Sequence, residues 1–146
     1  MLNTQFLIPS LIFAIAFPFS AMSASAESKT SLFDRLGGMH QINDIVSKTI
    51  DRTSKDERTK RSFEGIKLAP VKESVAQHLC EISGGPCKYE GASMAKAHSG
   101  LAITAREFDI MDDYLAQELT AHGISAADKA ELQSLLGPLK PEIIEK

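Results

Sequence analysis

The chain has 146 residues, a formal charge of −3 and 24% charged side chains, with no basic block. That balance excludes the clustered Lys and Arg with which nucleic-acid binders neutralise phosphates, and the length allows one domain whose core folds without a metal staple. Tryptophan is absent and aromatics make up 6% of residues, so Leu, Ile, Val, Ala and Met must build the interior, which favours an all-α fold.

Met1 to Ala26 carries no charged side chain, and Phe6 to Phe19 is almost wholly apolar. This run matches the roughly 7–15 residues of a signal-peptide core better than the ~20 of a membrane helix, and Pro9 and Pro18 interrupt it. Ala24-Ser25-Ala26 offers a small-x-small cleavage site, although no Lys or Arg stands near Met1, which keeps an uncleaved anchor as the alternative. The expected organisation is a signal peptide over 1–26 and one domain over 27–146, exported to the periplasm and free of the membrane after cleavage.

From Gly38 onward apolar residues fall at helical spacing, with the breakers between the runs. Ile42, Ile45, Val46 and Ile50 form one stripe; the polar run from Arg52 to Lys60 follows as a solvated connection. Val71, Val75, His78, Leu79 and Ile82 form a second stripe after Pro70, a residue suited to a first helical turn. Ser83 to Ile103 is dense in Gly, Pro, Ser and Ala, with a short helix expected only around Met94 to His98. About twenty such residues inside a compact domain normally hold something functional. Thr104 to Glu107 reads as a capping box opening a third helix that carries Phe108, Met111, Leu115 and Leu119 inward until Gly123. Ser125 to Asp128 opens a fourth, with Leu132, Leu135 and Leu136, kinked or ended by Pro138 and Pro141.

Of four histidines, His40 and His122 sit at helix edges, where surface or capping roles are expected. His98 ends the short run inside the irregular segment, with Gly100 after it, so a planar ligand has room to approach. A neutral imidazole presented this way suits iron, binding through one nitrogen while the other donates to a carbonyl. Cys80 and Cys87 flank a Gly-Gly-Pro turn, and either a disulfide or two unlinked thiols fits that spacing. The absence of a C-x-x-C-H run excludes c-type haem attachment.

The order of motifs around His98 resembles that of the group 1 truncated haemoglobins. Ser31-Leu32-Phe33-Asp34-Arg35-Leu36-Gly37-Gly38 is similar to the family's opening helix, and Phe63-Glu64-Gly65 to its haem-contacting phenylalanine and glycine. Gly84-Gly85-Pro86 with Tyr89 and Gly91 resembles its glycine turn, and Met94 to His98 the stretch ending in the proximal histidine. The resemblance implies a two-over-two helical sandwich holding haem b, with His98 as iron ligand and Phe63 and Met94 against the porphyrin. Val71, Val75 and Leu79 would line the distal helix, and Lys72 and Lys96 are either partners of the propionates or simply solvated lysines.

Two departures bear on chemistry. Ile50 stands where the family usually has a distal tyrosine, and Val71 and Val75 where a glutamine or other polar residue often supports it. Loss of those donors predicts fast dioxygen release and a relative preference for carbon monoxide or nitric oxide. His78 stands where the family is usually apolar, and three roles stay open: a polar group at the haem edge, a sixth iron ligand, or a satisfied core histidine. The resemblance therefore implies a monomer that reversibly binds a diatomic gas, re-reduced by an unknown reductase, with nitric oxide dioxygenation or peroxidase-like turnover as side activities. A six-coordinate electron-transfer protein and a haem-free helical interaction module are the alternatives.

Overall fold

The computed structural model describes residues 30–145; the signal-peptide reading of 1–26 lies outside the described residues. These residues are helical and contain no strand. Helix α1 (Leu32–Arg35) is opened by Ser31, whose hydroxyl accepts the Asp34 N–H. Gly37 and Gly38 then turn the chain at φ 87° and 69°, left-handed values that glycine adopts without a Cβ penalty.

Helix α2 (Gly38–Lys55) buries Ile42, Ile45, Val46, Thr49, Ile50 and Thr53 on one face. The two threonines survive there because their hydroxyls donate to the Ile45 and Thr49 carbonyls, each at 2.8 Å. The stripe read from the sequence thus extends one turn beyond Ile50. Correspondingly, the run from Arg52 to Lys60 is not simply a solvated connection: α2 continues through Lys55, and Thr59 is buried with its hydroxyl on the Thr53 carbonyl. A 3₁₀ turn over Lys60–Phe63 leads to α3 (Leu68–Ile82), which has Pro70 in its first turn.

The irregular segment contains one short helix, α4 (Met94–His98), capped by Ser93. Helix α5 (Ala105–Ala121) opens with the expected capping box: the Thr104 hydroxyl accepts the Glu107 N–H, and the Glu107 carboxylate accepts the Thr104 N–H. Ser125 caps α6 (Ala126–Leu136). Pro138 then falls in a 3₁₀ turn, Gly137–Leu139, and Pro141 in the first turn of α7 (Lys140–Ile143), so the prolines bend the C-terminal run instead of extending it.

Helix α2 packs against both α3 and α5, giving a two-over-two sandwich of α2 and α3 against α5 and α6. Leu36, Ile42, Ile45, Ile50, Leu119 and Leu132 are each less than 2% exposed where the layers meet. Burial of each such side chain contributes about 1.5–3 kcal/mol relative to exposure. Arg35 Nε, 2.6 Å from the Asp128 carboxylate, ties α1 to α6. Cys80 and Cys87 are joined, with their Cα atoms 5.7 Å apart, which decides between the two readings of that pair. Gly85 lies so close under this bridge that a Cβ there would stand 2.5 Å from the Phe33 ring and 2.8 Å from the Cys80 carbonyl oxygen.

Candidate functional site

A cavity of about 510 Å³ opens between the layers. Helix α2 lines it with Val46, Thr49, Ile50 and Thr53, the 3₁₀ turn with Phe63, and α3 with Val71, Val75, His78 and Leu79. The segment 83–103 contributes Tyr89, Met94, Ala97, His98, Leu101 and Ile103, so the stretch that could not bury itself forms one wall. Phe108, Met111 and Leu115 of α5, with Leu139 and Ile143 of the C-terminal turns, complete the enclosure. Eight of the nine side chains expected at the site are therefore brought together: His98, Phe63, Met94, Val71, Val75, Leu79, His78 and Ile50.

Lys72 is the exception. Its ammonium lies 2.8 Å from Asp51 of α2, and it is not in the cavity wall. The reason is rotation: one residue beyond Val71 on a helix turns the side chain by about 100°, away from the lined face. Lys96 is exposed on α4. His40 is exposed, and His122 caps α5 with its Nδ1 donating to the Glu118 carbonyl at 2.7 Å.

The His98 ring has a defined tautomer. Its Nδ1 lies 2.8 Å from the Met94 carbonyl oxygen, which only accepts, so Nδ1 carries the hydrogen. Nε2 has no hydrogen-bond partner among the described residues, and in the neutral ring it carries the lone pair. An imidazole oriented by a carbonyl behind it is the usual form of a metal-binding histidine.

His78 is different. Both its ring nitrogens are buried without a hydrogen-bond partner among the described residues, and burial lowers its proton affinity against an opposing pull from Glu81. It stands in the cavity wall, where burial disfavours its charged form. A satisfied core histidine, one of the three readings, does not describe it.

Sequence reasoning missed several wall residues: Thr53, Thr59, Ser62, Glu107 and Asp112. Extending the α2 stripe by four residues from Thr49 would have found Thr53. Glu107 announced itself only as a cap. Burial pushes its carboxyl up, but the Thr104 N–H and hydroxyl and the Arg61 guanidinium more than offset that, leaving it below the ordinary value. Asp112, hydrogen-bonded to Gln133 at 3.2 Å, is pushed up by burial.

A helical sandwich enclosing an apolar cavity, with a carbonyl-oriented imidazole at one wall, defines a class of protein. The chain belongs to the bacterial-like globins, whose family model matches residues 31–145. Among its relatives, a group 1 truncated haemoglobin of Mycolicibacterium paratuberculosis is 32% identical over 113 residues, covering 77% of this chain and 83% of that protein. A group 1 truncated haemoglobin of Nostoc is 27% identical over 117 residues, covering 80% of this chain and 99% of that one. In fold, the chain matches the Fe(III) form of a truncated haemoglobin from Tetrahymena pyriformis with a TM-score of 0.76 at 24% identity, over 80% of this chain and all (100%) of that one. The 2/2 haemoglobin of Synechococcus, solved in the cyanomet state with covalently attached haem, gives 0.74 at 24% identity, over 80% and 100%.

The family implies a haem, and the residues here fit one. The cavity is lined mainly by apolar side chains, Phe63 and Met94 supply flat or adaptable surface, and the His98 tautomer leaves a nitrogen lone pair for iron.

Proposed function

We propose that the chain binds haem b in this cavity, with His98 Nε2 as the iron ligand, and reversibly holds a diatomic gas: dioxygen, carbon monoxide or nitric oxide. The observation that carries the reading is the His98–Met94 hydrogen bond of 2.8 Å, which fixes the ring's tautomer in the wall of a mainly apolar cavity. Ferrous haem supplies the site for the gas. The protein's own contribution is burial, orientation and exclusion of water: Phe63, Val71, Val75 and Leu79 wall the cavity with side chains that neither donate nor accept protons. The apolar side chains at Ile50, Val71 and Val75 supply no acid or base on that face, which favours binding over turnover, with nitric oxide dioxygenation or peroxidase-like chemistry as side activities served by an unknown reductase. The leader over 1–26, cleaved after Ala26, would deliver a monomer to the periplasm, where the Cys80–Cys87 bridge is at home.

Absorption spectra of the ferric, ferrous and carbon monoxide forms test this directly. We expect a strong Soret band in the wild type and loss of the five-coordinate ferrous signature in His98→Ala. A wild-type chain that takes up no haem, or a His98→Ala variant with unchanged spectra, overturns the reading.

One observation favours a second reading. One of the two unpartnered His78 nitrogens would bind iron, making a six-coordinate electron-transfer protein. A low-spin ferrous spectrum abolished by His78→Ala would select it.

A further inference from the structure

The residues that follow His98 have no helix of their own, yet they are held from two directions. On one side the Gly100 N–H donates to the Glu145 carboxylate at 2.5 Å, and the Glu145 N–H donates to the Ile103 carbonyl at 3.0 Å. On the other, the two terminal nitrogens of Arg61 donate to the Leu101 and Ala102 carbonyls, at 3.2 and 2.7 Å. The Leu101 N–H in turn donates to the His98 carbonyl at 3.2 Å, so hydrogen bonds run without a break from the guanidinium to the backbone of His98.

Ala102 shows that this holding matters. At φ 49° it is the one non-glycine among the described residues in the left-handed region, a conformation that alanine keeps only where its surroundings over-determine it. Arg61 is itself fixed by Glu107, a carboxylate 7% exposed that also accepts the N–H and hydroxyl of Thr104 at 2.8 Å each. Arg61 also sits two residues before Phe63 in the same 3₁₀ turn. Two walls of the cavity therefore share one anchor.

We propose that Arg61 is a positioning residue for His98. Through the Leu101 and Ala102 carbonyls it sets how the imidazole is presented to the cavity, and so the strength of the bond that imidazole makes. The inference rests on the reading of His98 as the iron ligand. A lysine at position 61 would present one ammonium where two carbonyls need a planar fork, so it restores the arrangement only in part.

Resonance Raman spectra of the ferrous holoprotein, with transfer of haem to an apomyoglobin scavenger, test this. In Arg61→Ala the iron–histidine stretch should shift and broaden, and haem loss should quicken by about tenfold, the lower end of what loss of an outer-shell partner costs a metal site. Arg61→Lys should lie between that variant and the wild type. Ala102→Gly, added to Arg61→Ala, separates positioning from mere strain relief: melting temperature should recover while the stretch stays displaced. The inference is overturned if Arg61→Ala and Arg61→Lys keep the wild-type stretch and haem-loss rate, or if Ala102→Gly restores both. Those outcomes leave the haem reading intact, provided His98→Ala abolishes the stretch. A wild type without an iron–histidine band overturns both together.

Discussion

The imidazole of His78 stands edge-on to the ring of Tyr89, with centroids 4.9 Å apart and planes at 64°. The Tyr89 hydroxyl donates to the Ala92 carbonyl at 2.9 Å, so it gives nothing to the imidazole. The Cys80–Cys87 bridge starts two residues after His78 and ends two residues before Tyr89, and it brackets the ring pair. The loop thus sets an aromatic ring against His78 and offers its nitrogens no hydrogen-bond partner.

A buried imidazole without a hydrogen-bond partner costs stability. Replacing His78 by Leu removes two unsatisfied polar atoms at similar volume and should stabilise the apoprotein by about 1 kcal/mol. The pH dependence has a defined sign. Burial holds the folded-state value below the ordinary 6.5, so the unfolded chain binds the proton first and stability falls as pH drops below 6.5. Urea denaturation of both apoproteins on either side of that value should show the acid slope reduced in His78→Leu. A variant that is less stable with an unchanged slope refutes the argument.

The disulfide closes a short loop, for which the chain-entropy relation gives about 2.5 kcal/mol. Cys80→Ser with Cys87→Ser should lower the melting temperature by roughly 5–15 °C. Adding a dithiol reductant to the wild type should reproduce most of that shift and leave the double variant unmoved. A wild type indifferent to reductant under unfolding conditions would show that the bridge does not form.

The acid and base of a second pair act on the surface. His122 Nε2 lies 2.7 Å from Asp44, which also binds Lys48 at 2.8 Å. The hydrogen bond to Asp44, then that to the Glu118 carbonyl, raises the histidine above its ordinary 6.5. Lys48, then His122, pulls Asp44 from 3.8 down to about 2. A raised histidine contributes fully below 6.5 and loses its contribution as pH rises through the folded value; a depressed carboxylate contributes above 3.8 and loses it as pH falls toward 2. The pair is therefore strongest between 3.8 and 6.5. Thermal melts of the wild type and His122→Gln should differ most in that window and converge in alkaline buffer, with the gap shrinking in high salt. A gap that widens with pH would contradict the assignment.

How much of this the sequence carried depended on how local the signal was. Thr104 and Glu107, three residues apart, announced their capping box; Met94 to His98 announced its short helix; the α2 and α3 stripes placed Ile50, Val71, Val75 and Leu79 on the cavity side. Thr53 and Thr59 were hidden because their polarity suggests solvent, while in the fold their hydroxyls are consumed by backbone carbonyls. Lys72 stands off the cavity wall because proximity in sequence to Val71 says nothing of direction around the helix. Arg61 was invisible for a different reason: its partners, Leu101, Ala102 and Glu107, lie 40 to 46 residues away, and only the fold brings them together.

The same cavity wall makes a prediction about gas retention. Ile50, Val71 and Val75 all face the cavity and none has a hydrogen to donate; the unpartnered imidazole of His78 lies about one turn further along α3 than Val75. Dioxygen held at ferrous haem carries partial negative charge, and a donor to it contributes about 1.5–3 kcal/mol, whereas neutral carbon monoxide gains less. The wild type should therefore release dioxygen fast in stopped-flow displacement by carbon monoxide, and Ile50→Tyr should slow that release by about tenfold or more. Position 50 is 1% exposed, so a larger ring also changes packing. Ile50→Phe carries that change without the hydroxyl and should keep most of the wild-type rate. If Phe slows release as much as Tyr does, the wall acts by closing space and the hydrogen-bond account of this distal side fails.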